Sequence, residues 1–228
     1  MTTDPISPPE AILFDVDGTL VDTYALYIES YRRALRDHLG QVPPAEEFIA
    51  RPPTSELHFL SEWIGVEHAV ACHDRMCGYY EELHAALGGG VYEGIREMLS
   101  ALRSAGVRLG VVTGKGRRAW NVTEGDLGLG PFEVVVTEDD VDRPKPDPVG
   151  LIAAARTMAV DPAAVVYVGD SVADMEAGRR AGMRIGAALW PKETDEDRRG
   201  FLAAIEAHDP DWRFDRPAEV TRVFAAWC

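Results

Sequence analysis

The sequence predicts an α/β protein, a doubly wound parallel sheet with an α-helical domain inserted near its start. Three observations carry that prediction. Short apolar runs of strand character alternate with helix-length segments over most of the chain, the pattern of a parallel sheet built from right-handed crossovers. A block of about 65 residues after the first strand carries only helical signals, an odd way to continue such a sheet. Four apolar runs end in polar residues, and open α/β sheets bind ligands at the carboxyl ends of their strands.

Ala11 to Asp15 is the first strand, ending in two carboxylates, Asp15 and Asp17, before a turn at Gly18. Thr23 is placed to cap a helix running to about Leu39, where Gly40 and the Pro43-Pro44 pair end it. Thr54 or Ser55 opens a second helix, Glu67 to Leu87 reads as a third, and Gly88-Gly89-Gly90 closes the block as a hinge. The chain thus divides into a core of residues 1–22 and 89–228 and a helical cap of residues 23–88. After the hinge the alternation resumes: helix Glu93 to Ser104, strand Val107 to Val112, helix Arg117 to Leu127, strand Val134 to Val136. Helix Pro148 to Met158, with proline in its first turn, leads to strand Val165 to Val168, helix Ser171 to Ala181 and strand Met183 to Ala188. Beyond Trp190 the expectation is a short helix from Phe201 to Ala207, an edge strand at Phe214 and a last helix from Pro217 to about Phe224.

With 228 residues, 46% of them hydrophobic, the chain can bury a full core. A net charge of −15 argues against binding a nucleic-acid backbone or an anionic membrane, although a small phosphorylated ligand remains possible where the site brings its own cation. The N-terminal residues lack the pattern of a signal peptide, so a cytoplasmic location is the expectation. Cys72, Cys77 and Cys228 have no zinc-type spacing and read as reduced thiols. Lys115, Lys145 and Lys192 are the three lysines among 23 basic residues.

The polar strand ends are Asp15-x-Asp17, Thr113-Gly114-Lys115, Lys145-Pro146-Asp147-Pro148 and Gly169-Asp170-Ser171 with Asp174 beyond. Gathered at one edge, these groups suit a phosphoryl group held against Mg²⁺. That ion takes hard oxygen ligands, for which Asp15, Asp170 and a main-chain carbonyl near Asp17 are the natural set. A carboxylate can attack phosphorus once charge is neutralised by metal and lysine, so Asp15 is the candidate nucleophile and Asp17 the acid and base. Lys145 neutralises the phosphoryl charge, Thr113 donates to a phosphate oxygen, and the amide of Gly114 adds a dipole. Ser171 and Asp174 either support the metal site from behind its ligands or serve the N-terminus of the following helix, Ser171 as its cap. Asp147 reads as a turn former, and Lys115 as a solvated lysine ahead of a group that touches substrate.

In this order the motifs resemble those of the haloacid dehalogenase superfamily, whose members they match over the whole core: Asp15-Val16-Asp17-Gly18-Thr19, Val111-Val112-Thr113-Gly114, Lys145, and Gly169-Asp170-Ser171-x-x-Asp174. A helical insert directly after the first motif is similar to the phosphoglycolate phosphatase-like branch. The resemblance implies a Mg²⁺-dependent phosphatase acting on a small phosphorylated metabolite, as a monomer or homodimer. Pyrophosphate or a nucleotide is the alternative substrate, a phosphotransferase of the β-phosphoglucomutase type ranks below it, and a non-catalytic phospholigand-binding protein comes last. The phosphonate-cleaving branch needs a cap lysine, and none lies between Thr23 and Gly90; dehalogenases lack the second acid, here Asp17. In the cap, Arg51 reads either as a clamp for a substrate carboxylate or second phosphate, or as a surface residue. Tyr24, Tyr27, Arg32, Arg33 and His58 share that ambiguity, while Tyr79, Tyr80 and Leu83 read as packing.

Overall fold

The computed structural model describes residues 8–49 and 55–225. Arg51, Thr54 and Cys228 lie outside the described residues. Strand β1 (Ala11–Phe14) is wholly buried and stops just before Asp15. A short strand β2 (Val21–Asp22) then leads into four helices: α1 (Tyr24–Leu39), α2 (Ala45–Ile49), α3 (Glu56–Ile64) and α4 (Val66–Leu87). The chain returns through β3 (Gly90–Val91), which pairs antiparallel with β2. Of the glycine run expected as a hinge, Gly90 lies in this ribbon at the root of the insert, and the Gly89 amide donates to the Asp22 carbonyl at 2.8 Å. Then follow α5 (Ile95–Ser104), β4 (Arg108–Val112), α6 (Arg117–Leu127), β5 (Val134–Val136), α7 (Val149–Thr157), β6 (Val165–Gly169), α8 (Val172–Arg180), β7 (Arg184–Ala188), α9 (Asp195–Ile205), β8 (Trp212–Phe214) and α10 (Pro217–Phe224).

The six long-range strands form one parallel sheet in the order β5-β4-β1-β6-β7-β8. After β5 the chain recrosses β1 and continues on its other side, so the strand order reverses between β1 and β6. Ligand crevices of doubly wound sheets form at such a switch point. Side chains alternate across the sheet as period-two strands require. Ile12, Phe14, Val166 and Val168 pack with α5 and α10 on one face, whereas Leu13, Val165 and Tyr167 pack with α7 and α8 on the other.

The insert has its own core, in which Leu26, Leu35, Leu60, Met76 and Tyr80 are fully buried. Gly40 ends α1 at φ +74°, a left-handed conformation that glycine adopts at little steric cost. Ser55 caps α3 by accepting from the His58 amide, as one of the two expected residues. Thr23 stands at the start of α1, but its hydroxyl caps nothing and donates to Asp17 instead. Helix α2 and the early start of α9 were not expected; Thr194 opens α9 by accepting from the Asp197 amide. No described helix is long and apolar enough to cross a membrane.

Candidate active site

Strand register assembles the centre. Phe14 is opposite Val111 of β4 and Val168 of β6, so Asp15, one residue on, lies between strand ends that continue into Thr113 and Asp170. The Asp15 amide donates to the Val168 carbonyl at 2.9 Å, which keeps Asp15 on the sheet while the next residues turn away. Gly18 makes that turn at φ +79°, and a Cβ there would lie 2.6 Å from the Asp170 carboxylate. Any side chain at this position would be strained and would collide with the acid.

Three lysines serve the four acids at the switch point. Lys145, arriving from the loop before α7, lies 2.9 Å from Asp15 Oδ1 and 2.6 Å from Asp174 Oδ1. Lys192 donates to Asp170 Oδ2 at 2.8 Å, and Thr19 donates to the other oxygen at 3.2 Å. Lys115 lies 2.9 Å from Asp17 Oδ1. All three lysines line one cleft of about 910 Å³, together with Asp15, Asp17, Gly18, Thr113, Gly114, Asp170 and Ser171. A lysine ammonium is a compact point charge, suited to such close quarters where a planar guanidinium would need more room.

Burial pushes the Asp15 carboxyl up to about 7; Asp174 and Asp170 add to the rise and Lys145 opposes it. Burial also raises Asp170, against the pull of Lys192. At Asp174 burial again acts upward but is outweighed by Lys145, Ser171 and Tyr167, so that this acid is held below the usual carboxylate range. The hydrogen bonds explain the difference. Asp174 Oδ1 accepts from Lys145 and Tyr167, and Oδ2 accepts from the amide and hydroxyl of Ser171 in a reciprocal cap of α8.

Carboxylate oxygens of Asp15, Asp170 and Asp174 lie within 4.8 Å of one another. Asp174 is committed to Lys145 and to the helix cap. Asp15 Oδ1 is different: it is buried and accepts no hydrogen bond of good geometry, despite the ammonium beside it. A charged carboxylate oxygen short of well-directed donors is the kind of hard ligand a divalent cation takes. The donor set around Asp15 and Asp170 therefore fits a divalent ion.

The residues expected at the strand ends are thus brought together. Ser171 and Asp174 cap the start of α8, one of the roles expected for them, and Asp174 also holds Lys145. Lys115, expected in solvent, is 1% exposed. Its ammonium lies 4.4 Å from the ring centroid of Tyr27 and 4.5 Å from that of Tyr80, and donates to their hydroxyls at 2.9 and 2.8 Å. Tyr80, expected only to pack, is hence also a polar partner. Asp147 accepts from the Val149 amide, a turn former as expected, while His58, Arg32 and Arg33 pair with neighbouring glutamates. Sequence reasoning missed Lys192 and the Tyr27–Glu56–His73 chain. The scarcity of lysine was the available signal for Lys192.

Residues 12–188 match the model of the haloacid dehalogenase-like hydrolases. The chain belongs to this family. A pyrophosphatase PpaX of Bacillus velezensis is 34% identical over 222 residues, covering 93% of this chain and 95% of that protein. An N-acetylmuramic acid 6-phosphate phosphatase of Pseudomonas aeruginosa is 33% identical over 221 residues, covering 94% of each chain. Among solved structures, CbbY of Rhodobacter sphaeroides in complex with phosphate superposes with a TM-score of 0.76 at 23% identity, over 93% of this chain and 96% of that one. A Lactobacillus plantarum protein proposed to be a phosphoglycolate phosphatase gives 0.79 at 23% identity, over 96% and 100%. These two superpositions concern the fold, and with it the parallel six-stranded sheet and its flanking helices.

Proposed function

We propose that this hydrolase is a Mg²⁺-dependent phosphatase that cleaves a small phosphate monoester through an aspartyl-phosphate, with the helical insert acting as a cap over the cleft. The observation that carries the reading is the placing of Asp15 between Thr113 and Asp170 on adjacent strand ends, with the Lys145 ammonium 2.9 Å away. Asp15 and Asp170, with a main-chain carbonyl near Asp17, would hold the ion, which when bound neutralises charge on the transferring group.

The chain's own residues do the rest. An Asp15 carboxylate oxygen forms a bond to phosphorus while the bond from phosphorus to the ester oxygen breaks. Asp17 gives that departing oxygen its proton, then takes a proton from the water that attacks the aspartyl-phosphate. Lys145 faces the gathering negative charge, and Thr113 and the Gly114 amide donate to phosphate oxygens. Asp174 keeps Lys145 in place and charged, since burial alone would lower that lysine and Asp15 and Asp174 hold it well above its ordinary range.

A phosphoglycolate-like ester is the substrate class placed first. Inorganic pyrophosphate is the second reading, favoured by the 34% identity to a pyrophosphatase and by Lys192 on the cleft wall. Phosphate release from a panel of monoesters, nucleotides and pyrophosphate, with Mg²⁺ and with chelator, tests both. Release only with Mg²⁺ supports the proposal, and a protein inert across the panel would end it.

A further inference from the structure

Asp17 is held by two groups, and both contacts use the same oxygen. Thr23 Oγ1 donates to Oδ1, and the Lys115 ammonium lies 2.9 Å from it. Asp17 Oδ2 has no such partner among the described residues, and Asp17 lines the cleft. Lys115 belongs to the sheet side, on the loop between β4 and α6, yet most of its surroundings belong to the cap: Tyr27 on α1 and Tyr80 on α4 enclose the ammonium by ring face and hydroxyl.

The socket is backed by a second layer. Tyr27 donates to Glu56 Oε1 at 2.6 Å, and His73 Nε2 lies 2.7 Å from Glu56 Oε2. Cys77 Sγ is 3.6 Å from the same His73 nitrogen. Glu56, His73 and Cys77 have donor atoms near enough for a metal, but both Glu56 oxygens are already used, and Lys115 exerts its positive charge on that carboxylate. The trio therefore fits a polar back wall, with the Glu56 carboxylate as the group that acts on the lysine, better than a cation site.

We propose that Lys115, held in a socket of cap tyrosines, is a positioning residue for Asp17. The inference rests on the reading of Asp17 as the group that protonates the leaving oxygen. Lys115 fixes one oxygen of Asp17 and so directs the other toward the cleft. With 1% of its surface exposed, it acts through Asp17 rather than by contact with substrate. Tyr27 and Tyr80 hold the ammonium at a fixed point, which a longer, planar guanidinium would not reproduce.

General acid help matters for an alkoxide leaving group and little for p-nitrophenolate, a leaving group that needs no proton. The test compares kcat/KM, which reports steps through phosphoenzyme formation, for β-glycerol phosphate and p-nitrophenyl phosphate in wild type, Lys115→Met and the double variant Tyr27→Phe/Tyr80→Phe. Lys115→Met is expected to lose about 100-fold on the alkyl ester and under about tenfold on the aryl ester. The double variant, which keeps the lysine charge but removes both hydroxyl acceptors, is expected to show the same selectivity at a few-fold level. An equal loss on both esters, in whichever variant folds, would overturn the inference and leave the phosphatase reading standing. Wild-type protein inert toward both esters would instead overturn the phosphatase reading.

Discussion

At the carboxyl edge of the sheet, Asp15, Thr113 and Asp170 take their places from the register of three neighbouring strands. In the helical insert, Tyr27, Glu56, His73 and Tyr80 take theirs from side chains packed between α1, α3 and α4. Both regions bury charge, but the edge sets acids against lysines around a cleft, whereas the insert closes its charges off in tyrosine hydroxyls and one imidazole. At the edge one ammonium is shared between Asp15 and Asp174; in the insert each Glu56 oxygen has a donor of its own. That contrast separates a surface arranged for chemistry from one arranged to grip. It also predicts where substitutions cost turnover and where they cost stability.

The largest effect is expected at Asp15. Asp15→Asn keeps the shape of the side chain and removes the proposed nucleophile, so turnover should fall by on the order of 10⁴-fold or more with the fold intact, read by steady-state assay and circular dichroism. Retained turnover would move the attacking group elsewhere. Lys145→Ala comes next, because it strips the cation from two buried acids at once. Loss of one partner of a buried pair costs roughly 3–5 kcal/mol, so chemical denaturation should show a clear drop in stability beside a fall in turnover of about 10²-fold or more.

In the insert the ranking reverses, with stability affected before chemistry. Tyr80→Phe removes a hydroxyl that meets both Lys115 and Thr123, and should cost about 1–2 kcal/mol of stability in denaturant titration. An unchanged midpoint would mean that the contact carries nothing. The smallest effect is a pH dependence at His73. Burial alone would lower this imidazole, but Cys77 and Glu56 outweigh it and raise it to about 10. A group whose folded value lies above its unfolded value contributes fully below the latter and loses its contribution as pH rises through the former. The stability gap between wild type and His73→Gln should thus be widest below about 6.5 and narrow toward about 10, by thermal melts across that range. A gap constant with pH would contradict the charged pair.

How much of this the sequence discloses follows the same division. The motifs at Asp15, Thr113, Lys145 and Asp170 are legible because a parallel sheet turns chain order into position: an apolar run that ends in a polar residue places that residue on one known edge. Helices α6 and α10 and strand β5 have the bounds their apolar patterns predict. The insert offers no such rule. Tyr27, Glu56, His73 and Tyr80 meet through the crossing of three helices, and no spacing in the chain records those crossings. Lys115 was misplaced for the same reason, since its solvation depends on helices that precede it by dozens of residues. Thr23 satisfies the composition of a helix cap, yet Asp17, six residues earlier, offers its hydroxyl a charged acceptor.

The central claim is that Asp15 becomes phosphorylated and that the surrounding edge exists to make this possible. Rapid quenching in acid during turnover, followed by intact-mass and peptide mapping, tests it most directly. A transient gain of one phosphoryl group on the peptide that carries Asp15, absent in Asp15→Asn, is the predicted result. Turnover by the wild type with no such adduct at any quench time, or an adduct that maps to another residue, would contradict the account.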